Sequence, residues 1–236
     1  MSDERSTSDE QMSEEQMSDE QMSEAPPSLY IPNLPSHEPL KIWEWPHPVL
    51  CKPSAPIERF DEALLTLTEQ MWVTMYHARG VGLAAPQVGV STRLLVMDCA
   101  FSQEAPRRFV CVNPTLHDLG ELIDSSEGCL SFPGLSVEVP RHATLTLKAF
   151  DEYGAPFELA LEGLEAICAQ HETDHLNGES FLDRLGFMER KAALLDYTVA
   201  LDQQLSELKA EPKADRELIS SLEEALELAR GLLMGS

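Results

Sequence analysis

The sequence predicts an α+β domain with a mainly antiparallel sheet. A helical pattern comes first, short strand runs and a hairpin follow, and helices close the chain. With 236 residues, 43% of them hydrophobic, the chain is long enough for one domain of ordinary size plus tails.

Leu64, Leu67, Met71, Met75 and Ala78 recur at steps of three and four, which predicts a helix that Gly80 ends. Strand-like runs follow at 93–97 and 108–112. The runs "TLTLKAF" (Thr144–Phe150) and "FELAL" (157–161) flank Glu152, Tyr153 and Gly154, which predicts a hairpin. In "EAICAQHETDHLNG" (165–178), Ile167, Cys168, His171 and His175 continue from Leu164 along one face of a helix, and Asn177-Gly178 ends it. Two more helices are expected at about 186–208 and 215–233, with Pro212 between them.

The termini read differently. Residues 8–22 are a pentapeptide written three times, "SDEQM SEEQM SDEQM", with no aromatic or β-branched residue to bury, so residues 1–25 are expected to be a disordered acidic tail. A period of five excludes a coiled coil. Nine prolines fall within 25–56, which predicts an extended segment over the domain surface. The expected organisation is the tail, a Pro-rich linker at 26–39, a domain at 40–208 and an acidic C-terminal helical extension at 209–236.

The formal charge is −24, of which residues 1–25 hold nine acids and one base, or −8. The other −16 lies elsewhere, so direct nucleic-acid binding is not expected. No run of eighteen apolar residues occurs, so no membrane span is expected. The five cysteines are odd in number and widely spaced, with no secretory leader or arginine-rich transit peptide before them. That pattern fits a cytoplasmic protein.

The chemistry begins at His171. His171 and His175 lie one turn apart with Glu172 after the first, the H-E-x-x-H arrangement in which both imidazoles reach one cation and the glutamate reaches its water. A third ligand is not fixed by this helix. Downstream, Glu179, Asp183 and Glu189 have no distinguishing context. Upstream, Cys129 in "EGCLS" (127–131) is either a ligand or a buried free cysteine. The segment "GVGLAAPQ" (80–87) has little side-chain bulk and ends in an amide that can donate, or is an ordinary turn. No lysine follows it, which argues against a phosphate loop.

Together, "GVGLAAPQ", "EGCLS" and "QHETDHL" (170–176) resemble the three signature motifs of the peptide deformylase family, in that family's order. The looser similarity spans about 40–201. The resemblance implies antiparallel sheets packed around a central metal-binding helix, and a bacterial, cytoplasmic hydrolase acting in protein biosynthesis. It would take the formyl group from the N-terminal formylmethionine of nascent polypeptides and release formate. It further implies one divalent metal on Cys129, His171 and His175, natively Fe²⁺, with Zn²⁺, Ni²⁺ or Co²⁺ also accepted.

By the same resemblance Glu172 is the general acid and base, and Gln87 and the Leu130 N–H hold the oxyanion. Val81, Leu164, Ile167 and Cys168 line a methionine pocket, and Gly82 and Gly128 pair with the peptide. Arg141 and Asp174 are candidates for a buried pair that orients the helix. One departure concerns transient ribosome association, which the family would make through a basic C-terminal helix. Residues 206–236 hold seven acids and four bases. Their apolar positions, from Leu218 to Leu233, are suited instead to packing on the domain or another subunit. Two alternatives are an H-E-x-x-H protease with no role for Cys129, and a partner-binding protein whose metal is structural.

Overall fold

The computed structural model describes residues 36–100, 107–211 and 216–234. The pentapeptide tail, most of the 26–39 linker and Pro212 lie outside the described residues.

The chain is α+β, and its strand pairings are antiparallel. Strands β1 (Gly82–Ala84), β2 (Leu94–Met97), β3 (Phe109–His117), β6 (Thr144–Phe150) and β7 (Pro156–Glu162) form one sheet in the order β1-β2-β3-β6-β7. Strands β4 (Leu122–Cys129) and β5 (Phe132–His142) form a separate two-stranded sheet. The β6–β7 hairpin is the one expected, with Phe150 opposite Pro156.

Strand β2 reads as an unbroken apolar run, Leu-Leu-Val-Met, because both of its faces are buried. Helix α1 (Glu62–His77) and helix α2 (Gly163–Asn177) both contact it. Strand β3 continues five residues past the run read at 108–112. The break is physical: the β3–β6 register shifts between Val112 and Thr115, where Asn113 is left-handed and Pro114 has no N–H to give a ladder. Asn113 uses this bulge, accepting from Ile57 N at 2.9 Å and donating to Ile57 O at 2.8 Å.

The β4–β5 hairpin escaped the strand reading, which saw only an extended stretch near Cys129. Pro133, Pro140 and the polar face of β4 mask it. The left-handed residue after α1 is Arg79, with φ 58°, rather than Gly80. Gly80 answers a different need, since a Cβ there would sit 3.0 Å from Leu130 Cδ1.

The one-sided stripe expected of α2 also needs correction. Every residue from Cys168 to Leu176 is buried, because the helix lies between the five-stranded sheet and β5. Leu164, at its first turn, is instead 52% exposed. Gly178 ends the helix with φ 75°, and a Cβ there would meet the Lys52 backbone at 2.5 Å.

The described part of the proline-rich segment is not extended throughout: it makes a 3-10 turn at Pro48–Cys51, is otherwise irregular, and ties the motifs together. Trp43 N–H donates to Gln87 O (2.7 Å), Trp45 N–H to Ser131 O (2.9 Å) and Ser54 N–H to Leu176 O (2.9 Å). Each acceptor is the last residue of one signature motif.

Helix α3 (Phe187–Ala210) packs on β5, and α4 (Arg216–Met234) packs on α3. Leu222, Ala225 and Leu226 join Phe132, Tyr197 and Leu201 in one cluster, so the C-terminal apolar face is used within its own chain. Among the described residues no helix is long and apolar enough to cross a membrane.

Leu222 is 1% exposed, so Leu222→Ala is expected to lower unfolding free energy by about 2–5 kcal/mol. Chemical denaturation measures it, and a value near zero would show that α4 does not dock on α3 in solution.

Candidate metal centre

Helix geometry brings His171 and His175 to one side of α2, their ring centroids 5.1 Å apart. Cys129, the last residue of β4, faces them across the gap between hairpin and helix, its Sγ 3.3 Å from His175 Nε2. One donor atom from each of Cys129, His171 and His175 falls within 4.8 Å of the others. The downstream acids are engaged elsewhere: Glu179 pairs with Arg184, Asp183 accepts from Ser180 N, and Glu189 accepts from Gly186 N.

The donor set fits a cation. His171 Nδ1 lies 2.8 Å from Glu127 Oε2, which fixes the proton on Nδ1 and leaves Nε2 to face the cluster. Burial pushes His171 down, but Cys129, through its electrostatic influence and its hydrogen bond, and the bond to Glu127 outweigh it and hold the imidazole well above its ordinary range. The cluster thus attracts positive charge, and a metal ion would take the place of a proton on Nε2 while Nδ1 keeps its own. His175 is held well below its ordinary range by burial, then by His171 and Arg141, so its lone pair is available. A thiolate with two imidazoles suits Fe²⁺, Co²⁺, Ni²⁺ or Zn²⁺ better than Mg²⁺ or Ca²⁺.

Glu172 follows His171 and is 5% exposed. Burial raises its pKa to about 7, against the opposing pull of the His171 charge. Its Oε2 has no hydrogen-bond partner among the described residues. Such a carboxyl can take and return a proton near neutrality.

The first motif supplies the opposite wall. Gln87 Oε1 accepts from Ala84 N at 2.8 Å, so Nε2 is turned toward Cys129 Sγ (3.7 Å) and Ser131 Oγ (3.3 Å). Gly82 is there for space: a Cβ would stand 2.5 Å from Glu172 Oε1 and 2.6 Å from Cys168 Sγ. A pocket of about 240 Å³ opens on the cluster. Val81, Gly82, Gln87, Gly128, Cys129, Leu130, Leu164, Ile167, Cys168, His171 and Glu172 all line it, and His175 is buried and not part of the lining.

The sequence reading missed the support beneath. Arg141 makes the pair with Asp174 that the sequence offers, its Nη1 donating to Asp174 Oδ2 at 2.6 Å. It also grips Glu127 in a fork, Nε to Oε1 at 2.7 Å and Nη2 to Oε2 at 3.0 Å. Arg184 reaches Asp174 from the other side, its Nε 3.1 Å from Oδ2. A signal existed for Glu127: it precedes Cys129 by two positions on one strand and therefore shares its face. None existed for Arg184.

An α+β fold with a Cys-His-His cluster, a buried glutamate and an apolar pocket defines a metal-dependent hydrolase of the H-E-x-x-H kind. A family model described as polypeptide deformylase matches residues 39–191, and the chain belongs to that family. The peptide deformylase of Aquifex aeolicus is 44% identical over 154 residues, covering 65% of this chain and 91% of that protein. That of Azotobacter vinelandii is 45% identical over 152 residues, covering 64% and 89%. Among solved structures, a peptide deformylase from Legionella pneumophila aligns with a TM-score of 0.67 at 42% identity, covering 74% of this chain and all of that one. A peptide deformylase from Synechococcus elongatus, solved with actinonin, aligns at 0.64 and 38% identity, covering 72% and 89%.

Glu127→Ala removes the partner that fixes His171 and leaves Arg141 with one fewer counter-charge. Metal affinity is expected to fall about 10–100-fold. Competition with a chromophoric chelator measures it, and unchanged affinity would detach Glu127 from the centre.

Proposed function

We propose that this protein hydrolyses the formyl group from the N-terminal formylmethionine of newly made polypeptides, releasing formate and a free amine. The observation that carries this is the Cys129, His171 and His175 cluster beside the neutral-range carboxyl of Glu172, at an apolar pocket in a member of the polypeptide deformylase family.

Cys129, His171 and His175 hold one divalent ion, with Fe²⁺ as the native species and Zn²⁺, Ni²⁺ or Co²⁺ as substitutes. Bound there, the ion supplies a Lewis acid and lowers the pKa of water from about 15.7 to roughly 7. Glu172 takes the proton of the attacking water and returns one to the departing amine nitrogen. Gln87 Nε2, turned by the Ala84 bond, and the Leu130 N–H donate to the developing oxyanion. The methionine side chain lies against Val81, Leu164, Ile167 and Cys168. Gly82 and Gly128 offer backbone groups to the peptide as to an added strand.

Residues 40–208 carry this activity, residues 1–25 and 26–39 are its acidic tail and Pro-rich linker, and 209–236 is an acidic C-terminal helical extension. Glu223, Glu224 and Glu227 are exposed on α4, so any transient ribosome association is made elsewhere than through this helix on RNA. Free cysteines at five positions support a cytoplasmic location.

The test is formate release from a formylmethionyl tripeptide by metal-loaded protein. Glu172→Ala is expected to abolish turnover while keeping its metal; equal rates in the variant would overturn the reading. Chelation should abolish activity, and Fe²⁺ or Ni²⁺ added without oxygen should restore it. In Cys129→Ala, metal content after gel filtration is expected to collapse, whereas full retention would return the third ligand to another group.

A further inference from the structure

Cys168 has a neighbour that deformylation does not use. It lies on α2 in the wall of the pocket, its Sγ against Gly82 and 3.6 Å from Val81 O. Cys99, two residues beyond β2, places its Sγ 3.8 Å from Leu164 O, the carbonyl one helical turn before Cys168. The acceptor of the Cys168 thiol also holds the chain beside Cys99, since Val81 O accepts from Asp98 N–H at 2.9 Å, and both cysteines belong to one packed cluster with Cys111. Exposure separates the three: Cys99 is half-buried, Cys168 is 4% exposed and Cys111 is 0% exposed.

We propose that Cys99 and Cys168 form an oxidative modification site that closes to a disulfide in the wall of the substrate pocket when a peroxide oxidises it. The Cys99 sulfur, the one solvent reaches, attacks a peroxide oxygen; the O–O bond breaks, Cys99 becomes a sulfenic acid and one water leaves. The Cys168 sulfur then attacks the Cys99 sulfur. The S–S bond forms, the S–O bond breaks, and the hydroxyl departs as a second water with the remaining thiol proton. With hydrogen peroxide as the oxidant, two thiols and one peroxide thus give one disulfide and two waters. A dithiol reductant reverses the step.

Thiols that each donate to a different carbonyl stand farther apart than the roughly 2.05 Å of an S–S bond, so closure draws the Cys168 sulfur toward Cys99 and reshapes the wall it forms. A change of about one methylene in an apolar pocket shifts discrimination by about tenfold or more. The effect belongs in KM for the formylmethionyl peptide. This second half rests on the placement of Cys168 in the methionine pocket; the disulfide itself does not.

The test treats Zn²⁺-loaded full-length protein with hydrogen peroxide, blocks remaining thiols, and maps the digest by mass spectrometry without reduction. A Cys99–Cys168 linked peptide is expected, with a rise in KM of about tenfold that dithiothreitol reverses. Cys99→Ser and Cys99→Ala, at a position outside the catalytic machinery, are expected to keep basal activity and lose the reversible rise. Cys99 and Cys168 remaining separately alkylated, or a reversible rise surviving in both variants, would overturn the proposal. A linked peptide with unchanged KM would keep the disulfide and overturn the pocket placement of Cys168.

Discussion

The centre depends on a chain of buried charges running Asp174, Arg141, Glu127, His171. Arg141, 2% exposed, is fully desolvated and holds one carboxylate from the helix and one from the hairpin strand. Burial alone would neutralise these groups. Instead, bonds to His171 and Arg141 outweigh burial and keep Glu127 below the usual carboxylate range, and its partners hold Arg141 above its own. Losing one member of such a network costs about 3–5 kcal/mol, because the others stay buried without their counter-charge. The network is therefore a weak source of net stability and a strong source of position.

What it positions follows from where its members lie. Asp174 is on α2 between the two histidines, and Glu127 is on β4 two residues before the cysteine. Locking Arg141 to both brings the Cys129 sulfur and the imidazoles to one place, and Glu127 then sets the tautomer of His171. The 43–54 segment adds a backbone clamp by bonding to the closing residue of each motif. Three segments far apart in sequence are thus held by one charge network and one strap.

Much of this was legible in the chain itself. Two histidines one turn apart are a local pattern, and local patterns survive without knowledge of the fold. The β6–β7 hairpin and the glycine stop of α2 were legible for the same reason. The β4–β5 hairpin was not, since Pro133 and Pro140 hide its strand character and its inner face is polar where it meets the centre. The stripe read on α2 was too narrow, because periodicity registers apolar residues. Here Gln170, Thr173 and Asp174 are buried too, the first bonded to the His142 backbone and the last to Arg141. Arg184 and the strap needed long-range contacts that no spacing rule encodes.

X-ray absorption at the metal edge of protein purified without oxygen tests the centre most directly. One sulfur and two nitrogen ligands from the protein, with the sulfur lost in Cys129→Ala, is the expected first shell. A shell of only nitrogen and oxygen in the unmodified protein would contradict it.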